Sequence, residues 1–208
     1  MRTRVKICGL TQVEDARQIA QAGADSIGLV FYAPSPRAVS IEQARLICES
    51  LPAFVTVTAL FVDEQASRIE QVLQQLPIDL LQFHGDESAS FCRQFGRPYI
   101  KALRIRPGLD LLQQAGHYHD ARGLLCDAYK PGVPGGTGET FDWQLLDCDL
   151  PLPIILAGGL NAENILQAIS TVRPHAVDVS GGVEAAKGVK DMNLVQRFID
   201  EVARADRI

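Results

Sequence analysis

The chain has 208 residues, 47% hydrophobic and 22% charged, with a formal net charge of −5. That balance is ordinary for a globular domain, and the length suffices to bury about 70% of the surface an unfolded chain exposes. The negative charge without a basic stripe argues against a nucleic-acid partner, no apolar run reaches the roughly 18 residues of a membrane span, and residues 1–8 lack the apolar core of a secretion signal.

The first apolar run, residues 5–8, reads as a strand. Thr11-Gln12-Val13-Glu14 reads as a capping box opening a helix, with Ala16, Ile19 and Ala20 as its buried stripe and Gly23 as its end. A strand over 26–31 follows, then a second box at Ser40-Ile41-Glu42-Gln43 with Ala44, Ile47 and Leu51 behind it. The run 55–61 precedes a helical stripe of Ile69, Val72, Leu73 and Leu76. Further strands fall at 80–83, 99–102, 123–126, 154–157 and 176–179, and Leu194, Phe198, Ile199 and Val202 form the last stripe. Ala24-Asp25 and Ile78-Asp79 each stand just before a strand, a faint internal repeat. Continuous apolar strands alternating with helices predict parallel pairing, in an open sheet or a barrel. The count of eight, closing on a C-terminal helix, favours a single-domain (β/α)8 TIM barrel over residues 1–208.

Chemistry in such a barrel sits where strands end, which makes segments 9–10, 32–39, 63–64, 84–87, 104–108, 127–141, 158–161 and 180–188 the places to search. Cys8 ends the first strand and shares its inward face with Lys6, while Val5 and Ile7 face the helices. A free thiol, with a pKa of about 8.5, needs help to ionise at neutral pH, and a neighbouring ammonium supplies it. The bland alternative is a small core residue, and that reading is kept for Cys48, Cys92, Cys126 and Cys148. The odd number of cysteines and the absence of a CxxC pair fit free thiols in a reducing cytoplasm.

Asp127 directly follows the apolar run Leu124-Leu125-Cys126, where a carboxylate is costly unless paired or used. The competing reading is a loop or helix-capping aspartate. Arg37 offers a planar fork suited to a carboxylate, against the plain reading of a solvated loop arginine. His84 is a pocket residue or a satisfied strand-end histidine. Asp178 lies within the last strand on the face of Ser180, and aspartate is disfavoured in strands. Gly158-Gly159-Leu160 and Ser180-Gly181-Gly182 let backbone N–H groups approach an anion. Gly136-Thr137-Gly138 lies mid-loop, so it reads as a mobile cover rather than a dinucleotide fingerprint. His117 and His119, and the group His84, Asp86 and Glu87, have metal-ligand chemistry, but the first pair precedes a strand and so lies on the opposite face.

The runs Lys6-Ile7-Cys8-Gly9-Leu10, Ser35-Pro36-Arg37, Gln82-Phe83-His84-Gly85-Asp86-Glu87, Gly135-Gly136-Thr137-Gly138 with Phe141-Asp142-Trp143, Leu156-Ala157-Gly158-Gly159-Leu160, and Val177-Asp178-Val179-Ser180 through Val183-Glu184 occur in this order. Together, along nearly the whole chain, they resemble the signatures of the phosphoribosylanthranilate isomerase family. The resemblance implies an intramolecular Amadori rearrangement in tryptophan biosynthesis, from N-(5-phosphoribosyl)anthranilate to 1-(2-carboxyphenylamino)-1-deoxyribulose 5-phosphate. It implies Cys8 as general base, Asp127 as general acid and Arg37 as anchor of the anthranilate carboxylate. Gly158, Gly159, Ser180 and Gly181 would hold the phosphate, with His84 and Asp178 in the pocket. It implies no metal or organic cofactor, a small phosphorylated substrate, no nucleic-acid or membrane partner, a cytoplasmic location, and a monomer with a dimer as the alternative. One departure stands out: a second serine is common in the family where this chain has Gly181, so a hydroxyl is missing while the backbone N–H remains. The competing functions are another phosphate-binding barrel enzyme, such as indole-glycerol-phosphate synthase or the histidine-pathway sugar isomerase, and a non-catalytic barrel acting as a ligand sensor. Cys8 on the first strand, where the histidine-pathway enzyme has an aspartate, argues against that reading, and a pure binder needs neither proton carrier.

Overall fold

A computed structural model describes residues 2–128, 140–146 and 148–208. The strands are β1 (Arg4–Cys8), β2 (Ser26–Val30), β3 (Thr56–Phe61), β4 (Leu80–Phe83), β5 (Tyr99–Ile105), β6 (Leu124–Ala128), β7 (Ile154–Leu156) and β8 (Ala176–Val179). Each pairs in parallel with the next, and β8 returns to β1, closing the barrel. The helices are α1 (Val13–Gln21), α2 (Ile41–Ser50), α3 (Ala66–Gln75), α4 (Ala89–Arg93), α5 (Leu111–His117), α6 (Ile165–Val172) and α7 (Met192–Ala205). No described helix is long and apolar enough to cross a membrane.

Strand alternation sorts side chains into two cores. Val5, Ile7, Ile27, Leu29, Phe61, Phe83, Val177 and Val179 point outward and pack with buried helix residues such as Ile19, Ile47, Ile69 and Phe198. Inside the barrel, Ile100, Ala102, Leu125, Ile155, Ala157 and Ala176 form a smaller layer. Cys8, Val30 and Leu60, each at or next to the C-terminal end of its strand, form another inner cluster.

The termini of several elements differ from the sequence reading. Thr11 does not cap α1: Gln12 holds the cap position without a side-chain bond, and the Thr11 hydroxyl is drawn across the barrel mouth to the Gly188 carbonyl at 2.5 Å. Ser40 does cap α2, accepting the Gln43 N–H at 3.1 Å, but Gln43 sends its side-chain amide to the Thr11 carbonyl instead of completing a box. β5 and β6 continue past their predicted ends, so Arg104 and Asp127 are strand residues paired in register. No α-helix follows β6 among the described residues, where a 3-10 turn occupies Trp143–Leu146. The expected cover at 136–138 lies outside the described residues. Segment 180–188, read as a loop, contains a 3-10 turn at Gly181–Val183 and joins the hairpin strands β9 (Glu184–Ala186) and β10 (Val189–Lys190).

The faint repeat before two strands acquires a physical reason. Asp25 accepts the Val5 N–H at 2.8 Å and donates its own N–H to the Val5 carbonyl at 2.9 Å. Asp79 does the same to Val57, at 2.8 and 3.0 Å. Each aspartate thus fastens the start of its own strand to the start of the preceding one, on the face opposite the strand ends. Removing the Asp79 carboxylate leaves the Val57 N–H without this partner, so Asp79→Ala is expected to lower unfolding free energy by about 1–3 kcal/mol. Turnover well below the melting temperature should stay at the wild-type level. Urea denaturation beside an activity assay checks both, and a loss of turnover without a loss of stability would contradict a purely structural role.

Candidate active site

Three polar groupings converge on the C-terminal ends of the strands. The first crosses the β1–β8 seam. Lys6 and Asp178 are register partners there, and Lys6 Nζ donates to Asp178 Oδ1 at 2.9 Å with both side chains buried. Burial works against the Lys6 ammonium, but the Asp178 carboxylate and the Cys8 sulfur outweigh it and raise its pKa. Two residues along β1, Cys8 Sγ faces the same interior. A Cβ on Gly28 of β2 would lie 2.6 Å from that sulfur and 3.1 Å from Lys6 Nζ, so a glycine is what leaves room for the thiol. Burial pushes the Cys8 thiol up; Lys6 and, more weakly, Lys190 oppose it, and Asp178 adds to it. The expected help from a nearby ammonium is therefore present, and burial outweighs it.

The second grouping joins β4 to β6. His84 Nε2 lies 3.1 Å from Asp127 Oδ2, and Gln82 Nε2 lies 2.9 Å from His84 Nδ1. With the Gln82 amide donating, Nδ1 is the acceptor and Nε2 carries the hydrogen that faces the carboxylate. Asp127 Oδ1 accepts the Ala128 N–H at 2.8 Å. Gly158, at φ +83°, brings the loop after β7 hard against this acid: a Cβ there would sit 2.8 Å from Asp127 Oδ1 and 2.6 Å from Ala128 N. Gly159 follows, also left-handed at φ +63°. His84 and Asp127 both act on the charge of Asp178, so the two groupings share one field.

The third grouping holds Arg37. Its Nε and Nη2 both donate to Glu184, each at 2.7 Å, and Arg37 and Glu184 are largely buried. That pair, helped by Lys190, holds the Glu184 carboxyl below its usual range even though burial opposes it. Two of the five guanidinium hydrogens serve Glu184, and the others are available to an anion. Arg37 Nη2 lies 3.5 Å from the position a Cβ on Gly181 would occupy, and the Arg37 stem and Ser180 Oγ both border Gly9. Arg37, Ser180 and Gly181 are therefore neighbours. Gly182 cannot carry a side chain, because a Cβ would run into the Leu160 carbonyl of the facing loop. Loops after β7 and β8 thus meet at a glycine contact.

Residues 5–201 match the family model described as N-(5'phosphoribosyl)anthranilate (PRA) isomerase. The chain belongs to the phosphoribosylanthranilate isomerase family. The N-(5'-phosphoribosyl)anthranilate isomerase of Azotobacter vinelandii is 58% identical over 202 residues, covering 97% of this chain and 98% of the relative. The crystal structure of the phosphoribosyl anthranilate isomerase from Thermotoga maritima superposes with a TM-score of 0.88 at 39% identity, covering 97% of this chain and 99% of that one. A structure of a phosphoribosyl anthranilate isomerase in complex with reduced 1-(o-carboxyphenylamino)-1-deoxyribulose 5-phosphate superposes at 0.85 with 38% identity and the same coverage.

Within this family fold, the residues singled out from sequence fall on one face. Cys8, Asp127 and Asp178 end or nearly end β1, β6 and β8, and His84, Gly158, Gly159, Ser180 and Gly181 lie just beyond β4, β7 and β8. Arg37 is brought to them from the loop after β2. His117 and His119 stay away at the end of α5, and Glu87 and His84 are taken by other partners. Among the described residues no cluster of three His, Cys, Asp or Glu side chains could hold a metal.

Sequence reasoning missed two buried lysines. Lys101 donates to Glu87 Oε2 at 3.0 Å and to the Gly85 carbonyl at 2.5 Å, and Glu87 accepts the Gly85 and Asp63 N–H groups. That cage fixes the loop carrying His84. A lysine inside the apolar run 99–102 was the available signal, since a lysine is rarely buried unpaired. Lys190 sits in a hairpin too short to leave a periodic pattern.

Gly28 lies in β2 with no left-handed backbone, so alanine suits the chain but not the sulfur above it. Gly28→Ala is expected to keep the fold and lose about a hundredfold in turnover, the scale of misplacing a reacting group by an ångström. Thermal melting and steady-state kinetics test this, and wild-type turnover would show that the thiol needs no such clearance.

Proposed function

We propose that this chain isomerises N-(5-phosphoribosyl)anthranilate in tryptophan biosynthesis, using Cys8 as the base and Asp127 as the acid. The observation that carries the reading is the arrangement of two proton carriers on one barrel face, beside paired left-handed glycines and a buried arginine. The glycosylamine substrate must open its ring, lose a proton from C2′ and gain one elsewhere. Asp127 gives its proton to the ribose ring oxygen as the C1′–O bond breaks, leaving an iminium between C1′ and the anthranilate nitrogen. Cys8 thiolate takes the C2′ proton, and the electrons of that C–H bond neutralise the iminium to an enolamine. Tautomerisation gives the ketone, so no external oxidant or reductant is consumed.

His84 holds Asp127 in place through its Nε2 contact, and Asp178 fixes Lys6 beside the thiol. The remaining Arg37 donors hold the anthranilate carboxylate as a planar fork does. The N–H groups around Gly158, Gly159, Ser180 and Gly181 receive the phosphate. Residues 1–208 act as one domain. Large exposed apolar side chains among the described residues, Leu46, Phe54, Leu112, Val189 and Ile208, fall on separate elements, which supports a monomer. Cysteines that form no disulfide support a cytoplasmic setting.

Cys8→Ala is expected to lose about 10²–10⁴-fold in turnover with the fold intact, the usual worth of a general base. More than about a tenth of wild-type turnover would remove Cys8 from the reaction. For Asp127→Asn, single-turnover kinetics should show ring opening as the slow step, while a reduced product analogue still binds. If analogue binding falls in step with turnover, Asp127 is a binding residue instead. Arg37→Ala should weaken anthranilate-bearing ligands and spare phosphate-only ones, which calorimetry with both ligand classes resolves.

The pH dependence has a definite sign. The reactive form is the thiolate, and burial raises the thiol pKa above its ordinary range. Its fraction therefore grows as pH rises through that raised value, while the acid must keep its proton, so kcat/KM should follow a bell-shaped profile and alkylation of Cys8, which needs only the thiolate, should still be climbing above neutral pH. An alkylation rate that is flat from pH 6 to 9 would contradict a buried thiol with a raised pKa.

A further inference from the structure

Lys190 lies outside the motifs and touches no open surface: its side chain is 0% exposed. Its ammonium nevertheless has four oxygens around it. Nζ is 2.7 Å from the Cys8 carbonyl, 2.9 Å from Glu184 Oε1, 3.2 Å from the Ser180 carbonyl and 3.4 Å from Ser180 Oγ. Its backbone N–H is tied from behind to Asp15 Oδ2 of α1 at 3.0 Å. The contacts belong to three different parts of the site. Cys8 is the last residue of β1, Ser180 opens the glycine loop after β8, and Glu184 grips Arg37 with both carboxylate oxygens.

We propose that Lys190 is a positioning residue that locks the Cys8 thiol, the Ser180–Gly181 anion loop and the Arg37 fork into one rigid unit and adds a second positive charge behind the thiol. The proposal rests on the reading of Cys8 as the base. The geometry favours it over a purely structural role because an ammonium has three hydrogens, and all its available acceptors are site elements rather than neighbours in its own hairpin, apart from Glu184. Charge points the same way. The groups acting on the thiol are Lys6 from β1, Asp178 from β8, Lys190 from β10 and Arg37 from the loop after β2. Each lysine is matched by a carboxylate, Lys6 by Asp178 and Lys190 by Glu184, and Lys190 is the weaker of the two in its effect on the thiol, so removing it takes away the cation anchored to the Cys8 carbonyl and leaves Lys6 in place.

The test separates position from charge. Lys190→Gln keeps a donor without a charge, and Lys190→Arg keeps the charge with a different reach. Two readouts are taken: kcat and KM, and the pH profile of Cys8 alkylation by iodoacetamide, followed by mass spectrometry of the Cys8 peptide. In Lys190→Gln the alkylation profile should move to higher pH by about one unit, the lower range of a neighbouring charge effect. Its kcat should fall about tenfold or more, and KM should rise as the anion loop and Arg37 loosen. In Lys190→Arg the alkylation profile should stay in place while kcat falls. If Lys190→Gln does not fold, Lys190→Met, matched to the aliphatic stem, takes its place.

Unchanged alkylation and unchanged kcat in the uncharged variant would overturn the proposal. So would a loss of activity in both variants that follows the loss of melting temperature while the alkylation profile stays fixed. Cys8→Ala is assayed in parallel. Persistent turnover there would sink the reading of the thiol as base, whereas the alkylation profile reports on Lys190 independently of turnover.

Discussion

Everything at the site depends on how the barrel closes. β8 pairs with β1, and the seam between them carries Lys6 opposite Asp178. Two charges in a packed interior each lose hydration worth several kcal/mol, and the loss is tolerable only when they meet with good geometry. A 2.9 Å contact between register partners meets that condition. A slip of β1 against β8 by one residue would turn Lys6 toward the helices, away from Asp178, and put Ile7 in the mouth. The ion pair thus specifies the register that also places Cys8 inward. Replacing the pair by apolar residues would relieve desolvation, yet it would remove the cation next to the thiol, so the arrangement makes sense as function held at some expense of stability.

The same device recurs at the loops. After β4, buried Lys101 and Glu87 clamp the turn that follows His84; beyond β8, buried Lys190 and Glu184 clamp the segment beside Ser180. In both places a lysine takes strand-end carbonyls with its spare hydrogens. In both, the glutamate takes donors from elsewhere: Asp63 and Gly85 N–H groups for Glu87, and the Arg37 guanidinium for Glu184. Loops normally are the mobile part of a barrel. Here the groups that must stay put are fixed by charge-assisted bonds rather than by apolar packing, because the mouth has to remain polar.

The barrel was legible because its strands are covered on both sides and so read as continuous apolar runs, while the helices between them show one buried stripe each. Asp127 and Asp178 were legible because carboxylates in or at the end of such runs are out of place by burial alone, whereas Cys8, a residue type at home in a core, was singled out by its strand-end position and by the family resemblance. Position at a strand end told their face but not their partners: that Asp127 meets His84, or that Arg37 is gripped by Glu184, depends on residues far apart in sequence. Thr11 misled because a hydroxyl before an acidic residue looks like a cap, whereas a carbonyl of the C-terminal hairpin offered it a better bond. Lys190 was invisible since two-residue strands carry no period, and its burial comes from β1, β8 and α1 folding over it.

The thiol poses the sharpest physical question. Burial pushes the thiol's pKa up, although the proposed base must be ionised to act. The order of the chemistry answers this. In the proposed reaction ring opening would come first, driven by a proton from the acid, and it would turn the neutral amine of the substrate into an iminium cation. A cation formed next to a buried thiol favours its ionised form, as any opposite charge does. The strength of that effect grows as water is excluded, so the same burial that suppresses the thiolate in the free protein amplifies its pairing with the iminium. A thiol that ionised freely in the empty site would gain little from the substrate's charge. One held protonated until the cation appears ties proton removal to the step that makes the proton acidic.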